Sequence, residues 1–435
     1  MLAGLGRLNF LEAAANDYKA LVCVFMFGGN DGHNTVVPLD NPQYNAYKAA
    51  RGGLQLSVNQ LLQINDPVQG NFGLHYSMPE MQALYNGGQA AILANVGMLV
   101  KPTSFINQSQ PNFPLPIQLR SHQDQVVQMQ MGSPDGSMST GWGGRCVDTM
   151  QVGYNYNAGS NFPVSIAMNS PALFCSGNVV QGTSLQPGNF LGQNAFGLWP
   201  ASAGQARMNA QKTVVTTPSG NAIVNAANKS MATALALNPI LAGAANNVTF
   251  TKPFPNSSLG NQMKEIARLI SLNSQLSVGR QVFFCSLGAF DTHAGQSYQQ
   301  QENLKEISQC MDAFYAATFQ FGLHQQVTAF TLSDFGRTLQ PSGTGSDHGW
   351  GNHHFIVGGA VNGKKMYGRY PLMTNYANFN ATTDDYSDNR GVMLPNSSLT
   401  QYGGTLARWF GAADSDLDGI FPTLPNFPVR NLGFV

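Results

Sequence analysis

Aspartate and histidine gather in one stretch of this chain. Val327–His354 reads VTAFTLSDFGRTLQPSGTGSDHGWGNHH and carries Asp334, Arg337, Asp347, His348, His353 and His354. Three of the eight histidines therefore lie within it. Carboxylate oxygen and imidazole nitrogen are the donors that a hydrolytic metal site uses. Two further Asp–X–His groups stand elsewhere, Asp31 with His33 and Asp291 with His293. Two divalent ions about 4 Å apart would need several such donors each, and the chain holds enough. Any one of these groups alone is more readily a turn-forming aspartate. The coincidence of three argues for a joint site.

Arg120-Ser121-His122 is a fourth piece. It follows a loop bearing Pro102, Pro111, Pro114 and Pro116, so a helix is expected over Ser121–Met131 with Ser121 near its N-cap. Free N–H groups and the positive dipole end there favour a bound anion. The Ser121 hydroxyl is a nucleophile if a metal lowers its pKa, and a plain N-cap otherwise.

Positioning these groups requires strands that end near one another. Ala20–Phe27 is a continuous apolar run stopping at Gly28-Gly29-Asn30-Asp31, the pattern of a strand buried on both faces. Ala90–Val96, Val164–Met168, Gln281–Leu287, Val327–Leu332 and Phe355–Val357 are further strand candidates. Between them, helices are expected at Pro79–Tyr85, Gly141–Met150, Leu259–Ile270, Leu304–Thr318 and Leu399–Phe410, several with one apolar face. Alternation of this kind predicts an α/β fold, a doubly wound and mostly parallel sheet with helices on both faces. Ligands then collect outside the carboxyl ends of the strands, where Asp31, Asp291 and Asp334 all stand. Residues 176–258 carry few charges and abundant Asn, Ala, Gly, Ser and Gln, and read as an insertion or cap; a helix is expected over Ala222–Ala236.

Composition narrows the function classes. The 22 basic and 22 acidic residues cancel, leaving no basic footprint for nucleic acid. No apolar run is long enough to span a membrane. Gly28-Gly29 lacks the dinucleotide spacing and no Walker lysine is present, so nucleotide cofactors are not expected. Of five cysteines, Cys146 and Cys175 make the one candidate disulfide pair. Low charge leans toward an exported protein. Residues 1–19 read as the remnant of an export signal or as an N-terminal arm, and 20–435 as a single domain.

The phrases FMFGGNDGHN, RSHQDQ, GWGGR, FDTHAGQ, LSDFGRTLQPSGTGSDHGWGNHHFIVGGAV and YGRYP resemble a bacterial family known mainly as a domain of unknown function. Its members often carry a twin-arginine export signal, and it is grouped with the alkaline phosphatase–sulfatase superfamily. The resemblance implies one or two divalent ions, often zinc, and a Ser or Thr nucleophile attacking phosphate or sulfate esters. By position, Asp31 would be the first-strand metal ligand and Ser121 the nucleophile. Asp291 and His293 would serve one metal. Asp334 stands where the superfamily has Asp-His, with Phe335 in place of that histidine. Asp347, His348 and His353 or His354 would supply the missing ligands. Arg337 and Arg120 would hold the anionic ester. The resemblance also implies a periplasmic or secreted protein. The expected function is thus an exported metal-dependent ester hydrolase. The alternative is a non-catalytic exported binding or assembly protein that keeps the fold; oligomerisation is open in either case.

Overall fold

The computed structural model describes residues 17–435 apart from residue 155, residues 189–198, parts of 222–246, and residues 378–382. Residues 1–16 of the remnant expected over 1–19, and much of the helix expected over Ala222–Ala236, lie outside the described residues, while Lys19 already belongs to the first strand.

Among the described residues, nine strands share one sheet: β1 (Lys19–Met26), β2 (Ala90–Gly97), β3 (Ser165–Met168), β4 (Thr183–Leu185), β5 (Arg280–Leu287), β6 (Val327–Ser333), β7 (Asn352–Gly358), β8 (Met366–Tyr367) and β9 (Ser397–Ser398). Their spatial order is β8-β2-β7-β6-β1-β5-β3-β4, with β9 also on β2. Pairing is parallel except for β7, which runs antiparallel to β2 and β6. In β1, every residue from Ala20 to Phe25 is 0% exposed. Successive side chains on a strand point to opposite faces, so both faces of the sheet are covered there. Burial of each large apolar side chain contributes about 1.5–3 kcal/mol. Phe25 packs against Phe27 and Phe284, with ring centroids 4.5 and 5.8 Å away.

Helices cover the sheet, Ser258–Ser271 with the apolar face that its spacing predicts. The principal ones are α1 (His122–Met131), α2 (Ser258–Ser271), α3 (Gln296–Gln320) and α4 (Leu399–Phe410). Leu259, Met263, Ile266, Ala267 and Ile270 of α2 are all fully buried. Ser257 caps that helix by accepting from the Gly260 N–H at 3.1 Å. No helix among the described residues is long and apolar enough to cross a membrane.

Register is what matters for function. Met26 pairs with Leu287 on one side and Ser333 on the other. Three parallel strands therefore end side by side, and the segments after them, Phe27–Asp31, Gly288–His293 and Asp334 onward, leave from one rim.

Two elements are not expected from apolar patterning, and one expectation needs correction. Val36–Pro38, Leu62–Asp66 and Gly70–Leu74 form a small antiparallel sheet that apolar patterning does not announce. The stretch after β6 is not simply a loop: Arg337–Ser342 and Gly345–His348 form a hairpin that pairs Arg337 with His348, turning at Gly343 with φ 63°. The Cys146–Cys175 disulfide does not form, since all five cysteines are free and buried. Within 176–258, Thr183–Leu185 joins the sheet as its edge strand, while the helix Ala201–Thr216 buries only Gly204.

Candidate metal centre

Four segments meet at the rim. α1 begins with His122, the segment after β5 supplies Asp291 and His293, the segment after β6 supplies Asp334, and the hairpin ends in Asp347 and His348. One donor atom from each of His122, Asp291 and His348 lies within 4.8 Å of the others.

Asp291 is the hub. Its Oδ1 is 3.3 Å from His122 Nε2, 3.1 Å from His293 Nε2, 3.5 Å from His348 Nε2 and 3.0 Å from Arg337 Nη1. Each imidazole is held from behind by an oxygen at its other nitrogen. His122 Nδ1 is 2.7 Å from Asp334 Oδ2, His293 Nδ1 is 3.1 Å from Asp347 Oδ1, and His348 Nδ1 is 2.8 Å from the Arg120 carbonyl. An oxygen acceptor places the proton on Nδ1 and turns the Nε2 lone pair toward the centre, the arrangement that orients metal-ligating histidines. Arg120 adopts φ 72° to aim that carbonyl, a left-handed conformation uncommon for a side chain of its size.

The donor set fits a divalent ion of the zinc type. His122 Nε2 is buried, and the group it faces is the Asp291 Oδ1 at 3.3 Å. Four donors about 2.0–2.1 Å from one tetrahedral ion would be roughly 3.3 Å apart. The contacts of Asp291 Oδ1 with His122 Nε2 and His348 Nε2, at 3.3 and 3.5 Å, fall around that spacing. His293 Nε2 and His348 Nε2 lie 3.0 Å apart, within hydrogen-bond distance of each other.

Charge at the site is unevenly distributed. Burial pushes the Asp291 carboxyl up, but Arg337, His122 and His293 together outweigh it and hold its pKa below the usual carboxylate value. The hydrogen bond to Asp334 raises the His122 pKa against the opposing effect of burial. His348 moves the other way: burial lowers it, and the nearby His122 and Arg337 add to that.

Other expected site residues stand elsewhere or play a different part. Asp334 is not in the converging group; its carboxylate accepts from the Gly28 N–H at 3.2 and 3.1 Å and holds His122. Asp347 pairs with Arg390 at 2.5 Å and backs His293. Asp31 is 2% exposed and engaged by Arg51 and Gln296, while its Oδ1 caps the His33 N–H at 3.0 Å. A buried guanidinium thus stands where a cation was expected. His353 is fully buried under Tyr370, ring centroids 4.8 Å apart, and accepts from the Asn95 N–H at 3.1 Å. Ser121 occupies the N-cap position as expected, but its hydroxyl donates to Asp124 Oδ2 at 2.6 Å.

The two arginines expected to hold the ester differ in their surroundings. Arg337 is 0% exposed and its donors go to Asp291, the Gly28 carbonyl at 3.1 Å and the Ser346 carbonyl at 2.5 Å. Arg120 pairs with Asp388 at 2.9 Å.

His122 is the functional residue that the ligand set drawn from sequence omits. Its only signal is its place one residue after the serine that opens α1. Phe335 leaves the histidine count intact because His122 and His348 arrive from other segments. Its ring packs against both, with centroids 4.7 and 4.9 Å away. Gly29, at φ 81°, makes room for that ring, since a Cβ there would lie 2.7 Å from it.

Residues 18–416 match the family described as protein of unknown function (DUF1501). No curated protein matches the sequence. Among solved structures, the C-terminal periplasmic domain of EcEptC from Escherichia coli, in complex with Zn, overlaps 92% of this chain and 84% of its own, at 9% identity and a TM-score of 0.37. The PsFucS1 sulfatase from Pseudoalteromonas sp. overlaps 89% of this chain and 76% of its own, at 10% identity and a TM-score of 0.33. Both overlaps are loose, and neither transfers an activity to this chain.

Proposed function

We propose that this chain, which belongs to the DUF1501 family, is an exported metal-dependent hydrolase of phosphate or sulfate esters. The observation that carries the reading is the convergence of His122 Nε2, Asp291 Oδ1 and His348 Nε2 within 4.8 Å, with both imidazoles oriented from behind by oxygen acceptors. Three protein donors with a position left open is the pattern of a catalytic rather than a structural zinc site.

A divalent ion held by these three residues would supply Lewis-acid polarisation of an ester oxygen. The chain's own residues do the rest. Asp334 and the Arg120 carbonyl fix the two imidazoles, and Arg337 fixes Asp291. His293 is half exposed, with its Nδ1 backed by Asp347; it holds or moves a proton at Nε2, as a general acid or base must within hydrogen-bond reach of the reacting group. One ion rather than two fits the site, because Arg51 already neutralises Asp31. Export, favoured by the charge-poor composition, is part of the proposal and is read by fractionation of cells expressing the full-length gene.

The direct test is elemental analysis of the purified chain after metal-replete dialysis, followed by assay on 4-nitrophenyl phosphate and 4-nitrophenyl sulfate. One equivalent of ion, with turnover lost to chelation and restored by zinc, is the expected result. Absence of bound ion would sink the reading. A second reading is favoured by the engagement of Ser121 with Asp124, which ties up the hydroxyl expected as nucleophile: a metal-holding binding protein without turnover. Bound ion with no activity on either ester class would favour it.

A further inference from the structure

Helix α1 turns its residues against the usual order. Gln125, Gln128 and Gln130 are buried along with Met129 and Met131, whereas Val126 and Val127 stay partly exposed. The buried amides have fixed partners. Gln125 and Gln128 both donate to the Ile117 carbonyl, at 3.4 and 2.8 Å, and Gln130 Oε1 accepts from the Phe174 N–H at 3.1 Å. Amphipathic helices ordinarily bury the valines and expose the amides.

The two valines and Phe27 wall a cavity of about 500 Å3 whose other side holds His122, Asp291 and Asp334. Phe27 is pinned as part of that wall by Phe25 and Phe284, at 4.5 and 6.4 Å between ring centroids. The cavity thus joins an apolar wall to the metal-ligand cluster. A polyhydroxylated alcohol lying along the wall would need hydrogen-bond partners. Phe27, Val126 and Val127 offer none from their side chains, and Gln123 is the only amide of α1 that lines the cavity.

We infer that the ester's alcohol portion is apolar, an aryl or alkyl group seated on Phe27, Val126 and Val127, while its anionic end faces His122 and Asp291. This assignment of substrate class rests on the hydrolase reading above. The cavity is continuous, so one molecule with an anionic head and an apolar body satisfies both of its sides.

The test titrates two matched pairs into the zinc-loaded chain by calorimetry: methylphosphonate with phenylphosphonate, and methanesulfonate with benzenesulfonate. In whichever pair binds, the phenyl member should bind at least about tenfold tighter, because seating a ring on an apolar wall is worth more than one such step. Equal affinities within a binding pair would overturn the apolar assignment and leave the hydrolase reading standing. If no member of either pair binds, the hydrolase reading fails and the assignment falls with it. The double variant Val126→Asn/Val127→Asn should bring the members of the pair within about twofold of each other. Persistence of the tenfold preference in a folded double variant would show that the wall is elsewhere. Should that variant not fold, the comparison within each pair on the unmodified chain decides the matter.

Discussion

His122 Nδ1 lies 2.7 Å from Asp334 Oδ2, and the other nitrogen of the same ring points at Asp291 Oδ1 from 3.3 Å. One carboxylate orients the imidazole and the other shares its target. That division separates Asp334 from Asp291, which look alike in the sequence.

His122→Ala and His348→Ala should each reduce bound metal to a small fraction of one equivalent, because each removes one of three donors. Elemental analysis after gel filtration reads this directly. His293→Asn should keep most of the metal and lose turnover, roughly 10²–10⁴-fold if the ring is the proton-transfer group. Loss of metal in the His293 variant would instead make it a ligand.

Asp334→Asn should weaken metal affinity by about 10–100-fold without abolishing binding, the usual consequence of loosening an outer partner. Competition against a chelator of known affinity measures it. An unchanged affinity would mean that the Asp334–His122 contact does not orient the ligand.

Arg51→Ala should cost about 3–5 kcal/mol of stability, because it strands the buried Asp31 carboxylate. Arg51 also donates to the carbonyls of Thr338 and Leu339, at 2.9 and 2.8 Å, and these lie in the hairpin that ends at His348. Denaturant unfolding with and without zinc reads the loss. Appearance of a second bound ion in this variant would show that Arg51 occupies a latent cation site.

Acid should destabilise the fold well before the carboxylates titrate. Burial lowers the pKa of His33 and His354 to about 3 and that of His353 well below its usual value. In the unfolded chain these groups take up a proton near pH 6.5. Their contribution is therefore intact above that pH and is lost progressively as the pH falls toward about 3. At pH 5.5 the expected loss is on the order of 1 kcal/mol for each of His33 and His354, with His353 acting in the same direction. Urea midpoints at pH 7.5, 6.5 and 5.5 test this, and His354→Gln should flatten the slope if it folds. A flat profile between pH 7.5 and 5.5 would contradict the buried neutral state.

Much of the frame is legible in the chain. The run Ala20–Phe27 announces a strand buried on both faces, and Lys19–Met26 is one. The same holds for Ala90–Gly97, Arg280–Leu287 and Val327–Ser333, because a strand without a polar face has few alternatives. The hairpin from Arg337 to His348 escapes such a reading. It is short and polar, and the pairings Arg337 with His348, Pro341 with Ser346 and Ser342 with Gly345 define it.

The sequence by itself led to acidic and histidine-bearing segments following parallel strands, and hence to Asp31, Asp291, Asp334, Asp347 and His348 near one rim. Strand order and register bring Met26, Leu287 and Ser333 level. Only the tertiary structure decided which carboxylates face the centre. Asp31 and Asp291 each follow a strand on that rim, yet Asp31 meets the buried Arg51 from a separate helix, while Asp291 meets three imidazoles. The partner that engages a carboxylate comes from a distant part of the chain, so local spacing carries no record of it.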